Sequence, residues 1–186
     1  MKLRHSDSLA LIWRVSEFEA RQLKASVIEP AHLLLGLCKA VDLELPAIVS
    51  KDEPGRDEIL EELLREVRRL REVFRAANLD ARTFRRRLRR LNGGARFSPS
   101  ETARLRRSPA AKRIFADAEH FAAMADCTVL PVHLLYSVLL SEDAKRDGLL
   151  VELGVDLKRL KQVAKREVLF QRGGGTAQVD RGMNLN

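Results

Sequence analysis

The chain has 186 residues, 45% of them hydrophobic and only 5% aromatic. That composition excludes a disordered polypeptide and predicts one domain of ordinary size or two small ones packed together. The formal charge is +8, and residues 55–110 hold 16 basic against 8 acidic groups, so the whole excess lies in the middle third. Cys38 and Cys127 stand at no metal-ligand or redox-motif spacing, and no stretch approaches the roughly 20 apolar residues of a membrane span. The expectation is a reducing, cytoplasmic setting, with no disulfide framework and no membrane partner.

Most of the apolar content is Leu, Ala and Val, which favours helices over strands. Ser6 or Ser8 can cap a first helix, in which Leu9, Ile12, Trp13, Ser16, Ala20 and Leu23 recur at helical steps. A second helix is predicted from Pro30 to Ala40, because proline at a first turn wastes no backbone N–H. Residues Asp42 to Arg56, with Pro46 and Pro54-Gly55, read as a loop. Leu60, Leu63, Val67, Leu70 and Phe74 then repeat at the spacing of a packing seam, which predicts an amphipathic helix over 57–74. Its acids come early and its arginines late, matching the helix dipole. Asn78 ends that helix, Asp80 caps the next, and Gly93-Gly94 closes the first half.

Ser98-Pro99-Ser100-Glu101 predicts a short helix, and Ser108-Pro109 a longer one. Asp147-Gly148 predicts a short helix over Leu149–Leu153, ended by Gly154. Asp156 then caps a last helix carrying Leu157, Leu160 and Val163. Residues 169–186, with Gly173-Gly174-Gly175, read as a flexible tail or linker.

One pattern occurs twice. Ile28-Glu29-Pro30-Ala31-His32-Leu33-Leu34 returns as Val129-Leu130-Pro131-Val132-His133-Leu134-Leu135. The helix-ending pairs also repeat, Asn78 with Gly154 and Asp80 with Asp156. The chain therefore reads as two copies of one unit, the first about 4–94 and the second about 106–168, within a single domain of residues 1–168. The fold class is all-α.

Over about Arg4 to Glu167 the two motif copies, Ser108-Pro109-Ala110-Ala111-Lys112-Arg113 and Leu153-Gly154-Val155-Asp156-Leu157 resemble the N-terminal (Clp R) repeat domain of Clp-type AAA+ unfoldases and disaggregases. The resemblance implies a pseudo-twofold tandem of two four-helix units, here with an extended amphipathic helix inserted in the first. It implies a non-catalytic domain that binds unfolded or partly folded polypeptide, or an adaptor protein, ahead of C-terminal AAA+ modules in a bacterial-type cytoplasm. The ClpC-like branch, which docks phosphoarginine, carries Glu just before the motif His. Ala31 and Val132 stand there in this chain and argue against that chemistry.

No catalytic constellation is present in the sequence: there is no Walker loop, no nucleophile elbow and no HExxH. No cofactor or metal is expected. His32 and His133 lack companion ligands and read as structural residues of a first helical turn. The groove between repeats is the implied peptide site, with Ser6, Leu9 and Trp13 from the first unit and Pro109 and His133 from the second as candidates. Arg82, Arg85, Arg86, Arg89 and Arg90 form a candidate basic patch for a partner, and the alternative function is a free-standing helical nucleic-acid-binding protein. The 57–74 seam is expected to pack against its own repeat as an extended third helix, and a third reading makes it an oligomerisation helix.

Overall fold

A computed structural model describes residues 4–93 and 105–170. The predicted helix over Ser98-Pro99-Ser100-Glu101 and the tail beyond Phe170 lie outside the described residues. The first half contains α1 (Asp7–Gln22), α2 (Pro30–Ala40), α3 (Leu45–Ile48), α4 (Arg56–Ala76) and α5 (Ala81–Asn92). The second contains α6 (Pro109–Met124), α7 (Pro131–Leu140), α8 (Ala144–Glu152) and α9 (Leu157–Phe170). Two strands of two residues, β1 (Val27–Ile28) and β2 (Arg106–Arg107), complete the described elements.

The two halves use the same local chemistry. Ser6 and Ser108 cap α1 and α6, each hydroxyl oxygen accepting the N–H of the residue three positions on. Lys24 and Asp126 follow those helices with left-handed backbone, φ 55° and 51°. Asn78 and Gly154 do the same after α4 and α8, at φ 57° and 75°, as their residue types suggest. His32 and His133 face inward at the third position of α2 and α7. Nδ1 of each accepts the backbone N–H of the residue before the proline, Glu29 at 2.9 Å and Leu130 at 3.0 Å. They do the work of the Glu in a capping box while staying uncharged.

The halves interlock rather than merely touch. β1 pairs in parallel with β2, Val27 opposite Arg106 and Ile28 opposite Arg107, and His5 bridges Val129 in the reciprocal position. The segment entering helix one of each unit thus pairs with the segment entering helix two of the other. α2 and α7 meet at the centre, and each is almost wholly buried. α1 crosses α2 closely at Gly36, where an added Cβ would lie 2.8 Å from the Ile12 carbonyl and closer still to Ser16 Oγ. Only glycine permits that approach.

Several expectations change. The predicted loop over 42–56 contains α3, because Pro46 sits in its first turn and Leu45 is buried. α4 runs 21 residues, about 31 Å at 1.5 Å per residue. It is the expected extended amphipathic helix of the first unit, the lengthened counterpart of the nine-residue α8 of the second, with the four-residue α3 before it. Its seam of Leu63, Val67, Leu70 and Phe74 is buried within the chain, α4 packing on α1 and, across the repeat boundary, on α7 and α9. The oligomerisation reading of that seam is therefore corrected.

α8 begins at Ala144 and not at Leu149, because Asp143 Oδ1 accepts the Arg146 N–H at 3.0 Å and Gly148 is accommodated inside the helix. Gly93 has φ −76° and is not a left-handed stop. α9 continues to Phe170, past the predicted start of the tail at 169.

Two arginines close the ends of the central helices. Arg146, only 2% exposed, donates to the Val138 carbonyl at 2.5 Å and the Ser141 carbonyl at 2.7 Å, satisfying orphan acceptors at the end of α7. Asp147 pairs with it at 2.7 Å. Arg71 of α4 plays the same part for α2, donating to the Val41 carbonyl at 2.6 Å.

Candidate functional site

A half-open cavity of about 680 Å³ lies between the repeats. Its wall from the first unit is α1, which the Ser6 cap orients so that Leu9 and Trp13, one helical turn apart, face the second unit. The opposite wall is the segment Leu105 to Arg107 and the first turns of α6, with Phe115. Trp13 and Phe115 meet edge to face, centroids 5.6 Å apart at 80°.

The cavity straddles the pseudo-twofold axis. With Ser6 aligned to Ser108, Trp13 aligns with Phe115 and His5 with Arg107, and all four line it.

Its charge is one-sided. Arg14, Arg106, Arg107 and Lys112 line it, and no carboxylate does. Glu119 stands at the edge, 3.3 Å from the Nε2 of His5. The Arg107 guanidinium lies over Phe115 at 4.7 Å and over Trp13 at 5.5 Å, holding a cation against the aromatic floor.

Of the sequence candidates, Leu9 and Trp13 line the cavity. Ser6 and His133 do not. Ser6 is 3% exposed, and its hydroxyl donates to Glu66 Oε2 at 2.7 Å. His133 is fully buried, its ring occupied by the Leu130 N–H, with Cys127 Sγ 4.0 Å from Nε2. Pro109 is exposed on the first turn of α6 but lies outside the lining. Sequence reading missed Phe115 and the four cations as groove residues. The signal for Phe115 was available: it is the repeat equivalent of Trp13.

Inside the fold, burial lowers the pKa of His32 and His133 to about 4, so both imidazoles stay neutral. Burial, with the nearby Glu62 charge adding to it, raises Glu66 to about 7 against the hydrogen bond from Ser6. Burial pushes both the Cys38 and Cys127 thiols upward, which makes neither a nucleophile. Among the described residues no group of three His, Cys, Asp or Glu could hold a metal ion, and no helix is long and apolar enough to cross a membrane.

The arginine patch divides in two. Arg89 Nε lies 3.1 Å from Glu19 Oε2 and Arg85 Nη1 4.0 Å from Glu19 Oε1, and that carboxylate is 3% exposed. Arg87 pairs with Glu152 of α8. These three join α5 to the rest of the fold. Arg82, Arg86 and Arg90 are exposed one turn apart along the opposite edge of α5, Arg82 beside the capping Asp80.

The architecture has close counterparts among solved structures. The Hsp104 N-terminal domain from Candida albicans superposes with a TM-score of 0.57 at 18% identity, covering 87% of this chain and 89% of that one. The N-terminal domain of the caseinolytic protease associated chaperone ClpD from Arabidopsis thaliana gives a TM-score of 0.58 at 17% identity, covering 89% and 95%.

The fold is that of the Clp N-terminal domain. A chain from a malarial protein secretion system shares it, with a TM-score of 0.58 at 18% identity over 89% of this chain and 95% of that one. No family model and no curated protein matches the sequence. At these identities the Clp N-type architecture is common to the proteins while most side chains differ, so the cations and aromatics of the groove are features of this chain to be read on their own chemistry.

Proposed function

We propose that this domain is a non-catalytic docking module of a Clp-type ATP-dependent unfoldase, which takes a segment of unfolded polypeptide, or of an adaptor, into the groove between its repeats. The observation that carries the reading is the half-open cavity on the pseudo-twofold axis, with an apolar floor of Leu9, Trp13, Leu105 and Phe115. Concave sites of this size with a few convergent polar groups are where proteins take extended or helical peptides. The motifs that resemble Clp R repeats point the same way, toward recruitment for C-terminal AAA+ modules in a cytoplasmic setting. Affinity is expected to be modest and exchange fast, since a recruiter must release what it delivers.

The nucleic-acid alternative has less support. Arg85, Arg87 and Arg89 are engaged by carboxylates of this same chain, and α5 interleaves no exposed aromatic side chain with the remainder.

Trp13 is the sole tryptophan of the chain and lies in the groove, so its fluorescence reports occupancy directly. Titrating a permanently unfolded model protein into the domain should give a saturable change in Trp13 emission. The absence of any change up to high micromolar concentration, with candidate adaptors equally silent, would overturn the reading.

A further inference from the structure

The groove is not a neutral apolar slot. Arg14 and Lys112 are exposed on facing helices, α1 and α6, while Arg106 and Arg107 form one wall through β2. Four cations therefore surround an aromatic floor that no carboxylate lines, and Glu119 faces His5 at the rim. Arg107 is held over two ring faces and has no carboxylate partner among the described residues. Guanidinium groups in such a position can keep their ring contact while donating edge-on to a carboxylate.

Resting on the docking reading above, we propose that this groove selects polypeptide segments that combine a large apolar side chain with flanking Asp or Glu, and discriminates against segments flanked by Lys or Arg. The apolar side chain lies on the outer edge of the floor that Trp13 and Phe115 form in contact with each other. The carboxylates lie against Arg14, Lys112 and the Arg106-Arg107 wall. An apolar floor alone would accept any exposed hydrophobic segment, whereas like charge at the rim penalises a basic one, so the cations turn a general groove into a selective one. Because Arg14 and Lys112 project into solvent and make no ion pair among the described residues, their part in selection is separable from folding.

The test uses three short peptides sharing one Phe- and Leu-containing core and lacking Trp. One is flanked by Asp and Glu, one by Asn and Gln, and one by Lys and Arg. Binding is followed by Trp13 fluorescence at low and high salt. The acidic peptide is expected to bind about tenfold or more tighter than the basic one at low salt, the gap closing as salt screens it. In the Arg14→Glu, Lys112→Glu double variant, whose fold is checked by circular dichroism, the order of preference is expected to narrow or invert. Equal affinity for all three peptides, unchanged in the double variant, would overturn the selectivity while leaving groove docking intact. No response to any of the three, together with none to an unfolded protein, would remove both.

Discussion

Glu66 and the two capping histidines pull the stability of this fold in opposite directions as pH changes. Each imidazole has a folded pKa of about 4 against an ordinary 6.5, so its contribution is present above 6.5 and lost as pH falls toward 4. Glu66, raised from 4.5 to about 7, contributes the reverse: its stabilisation is present below 4.5 and lost as pH rises through 7.

Through proton linkage the two imidazoles together cost about 5 kcal/mol between pH 8 and about pH 4.5, while protonation of Glu66 returns about 3. Wild-type stability should therefore fall less on acidification than the two imidazoles alone would dictate. The decisive perturbation is Glu66→Gln, which keeps an acceptor for the Ser6 hydroxyl and removes the titration. That variant should be more stable than wild type near pH 8 by up to about 3 kcal/mol, and it should lose stability steadily from about pH 7 downward. Urea unfolding followed by circular dichroism at a series of pH values measures both curves. Parallel wild-type and variant profiles would refute the assignment of Glu66 as a buried, proton-binding group.

Further outcomes follow from the packing. Gly36→Ala, which drives a Cβ toward the Ile12 carbonyl, should destabilise the domain by about 2 kcal/mol in chemical denaturation. Arg146→Ala should cost about 3 kcal/mol or more, because it strands Asp147 and two helix-end carbonyls together, and Arg146→Lys should recover only part of that, lacking the forked donor. Arg89→Ala should cost about 1–2 kcal/mol by leaving the buried Glu19 short of a partner. Arg86→Ala with Arg90→Ala on the same helix should stay within about 0.5 kcal/mol of wild type. Equal losses from these two α5 variants would contradict the division of the arginine patch.

Local chemistry alone determined much of this protein. Prolines at first turns, serine and aspartate caps, and the left-handed positions Asn78 and Gly154 depend on residues within one turn of each other, so they are legible without a tertiary structure. The repeat itself followed from Pro-x-His-Leu-Leu occurring twice, and with it the all-α class. The same locality explains the errors. A proline that opens α3 looks in sequence like one that breaks a helix, and Asp147-Gly148 looks like a helix start although Asp143 is the cap.

The partner of each face was a tertiary matter. The periodic seam of α4 says that the face is covered, not that α1, α7 and α9 cover it. Ser6 and His133 have the residue types of a binding site, yet backbone donors and Glu66 consume their polar atoms inside the fold. The groove exists because the interlocked strands bring α1 and α6, about a hundred residues apart in sequence, across one axis. Only that crossing sets Trp13 against Phe115 and ranges Arg14, Arg106, Arg107 and Lys112 around them, because charge and apolar surface from distant segments acquire a shared function only when the core forces them together.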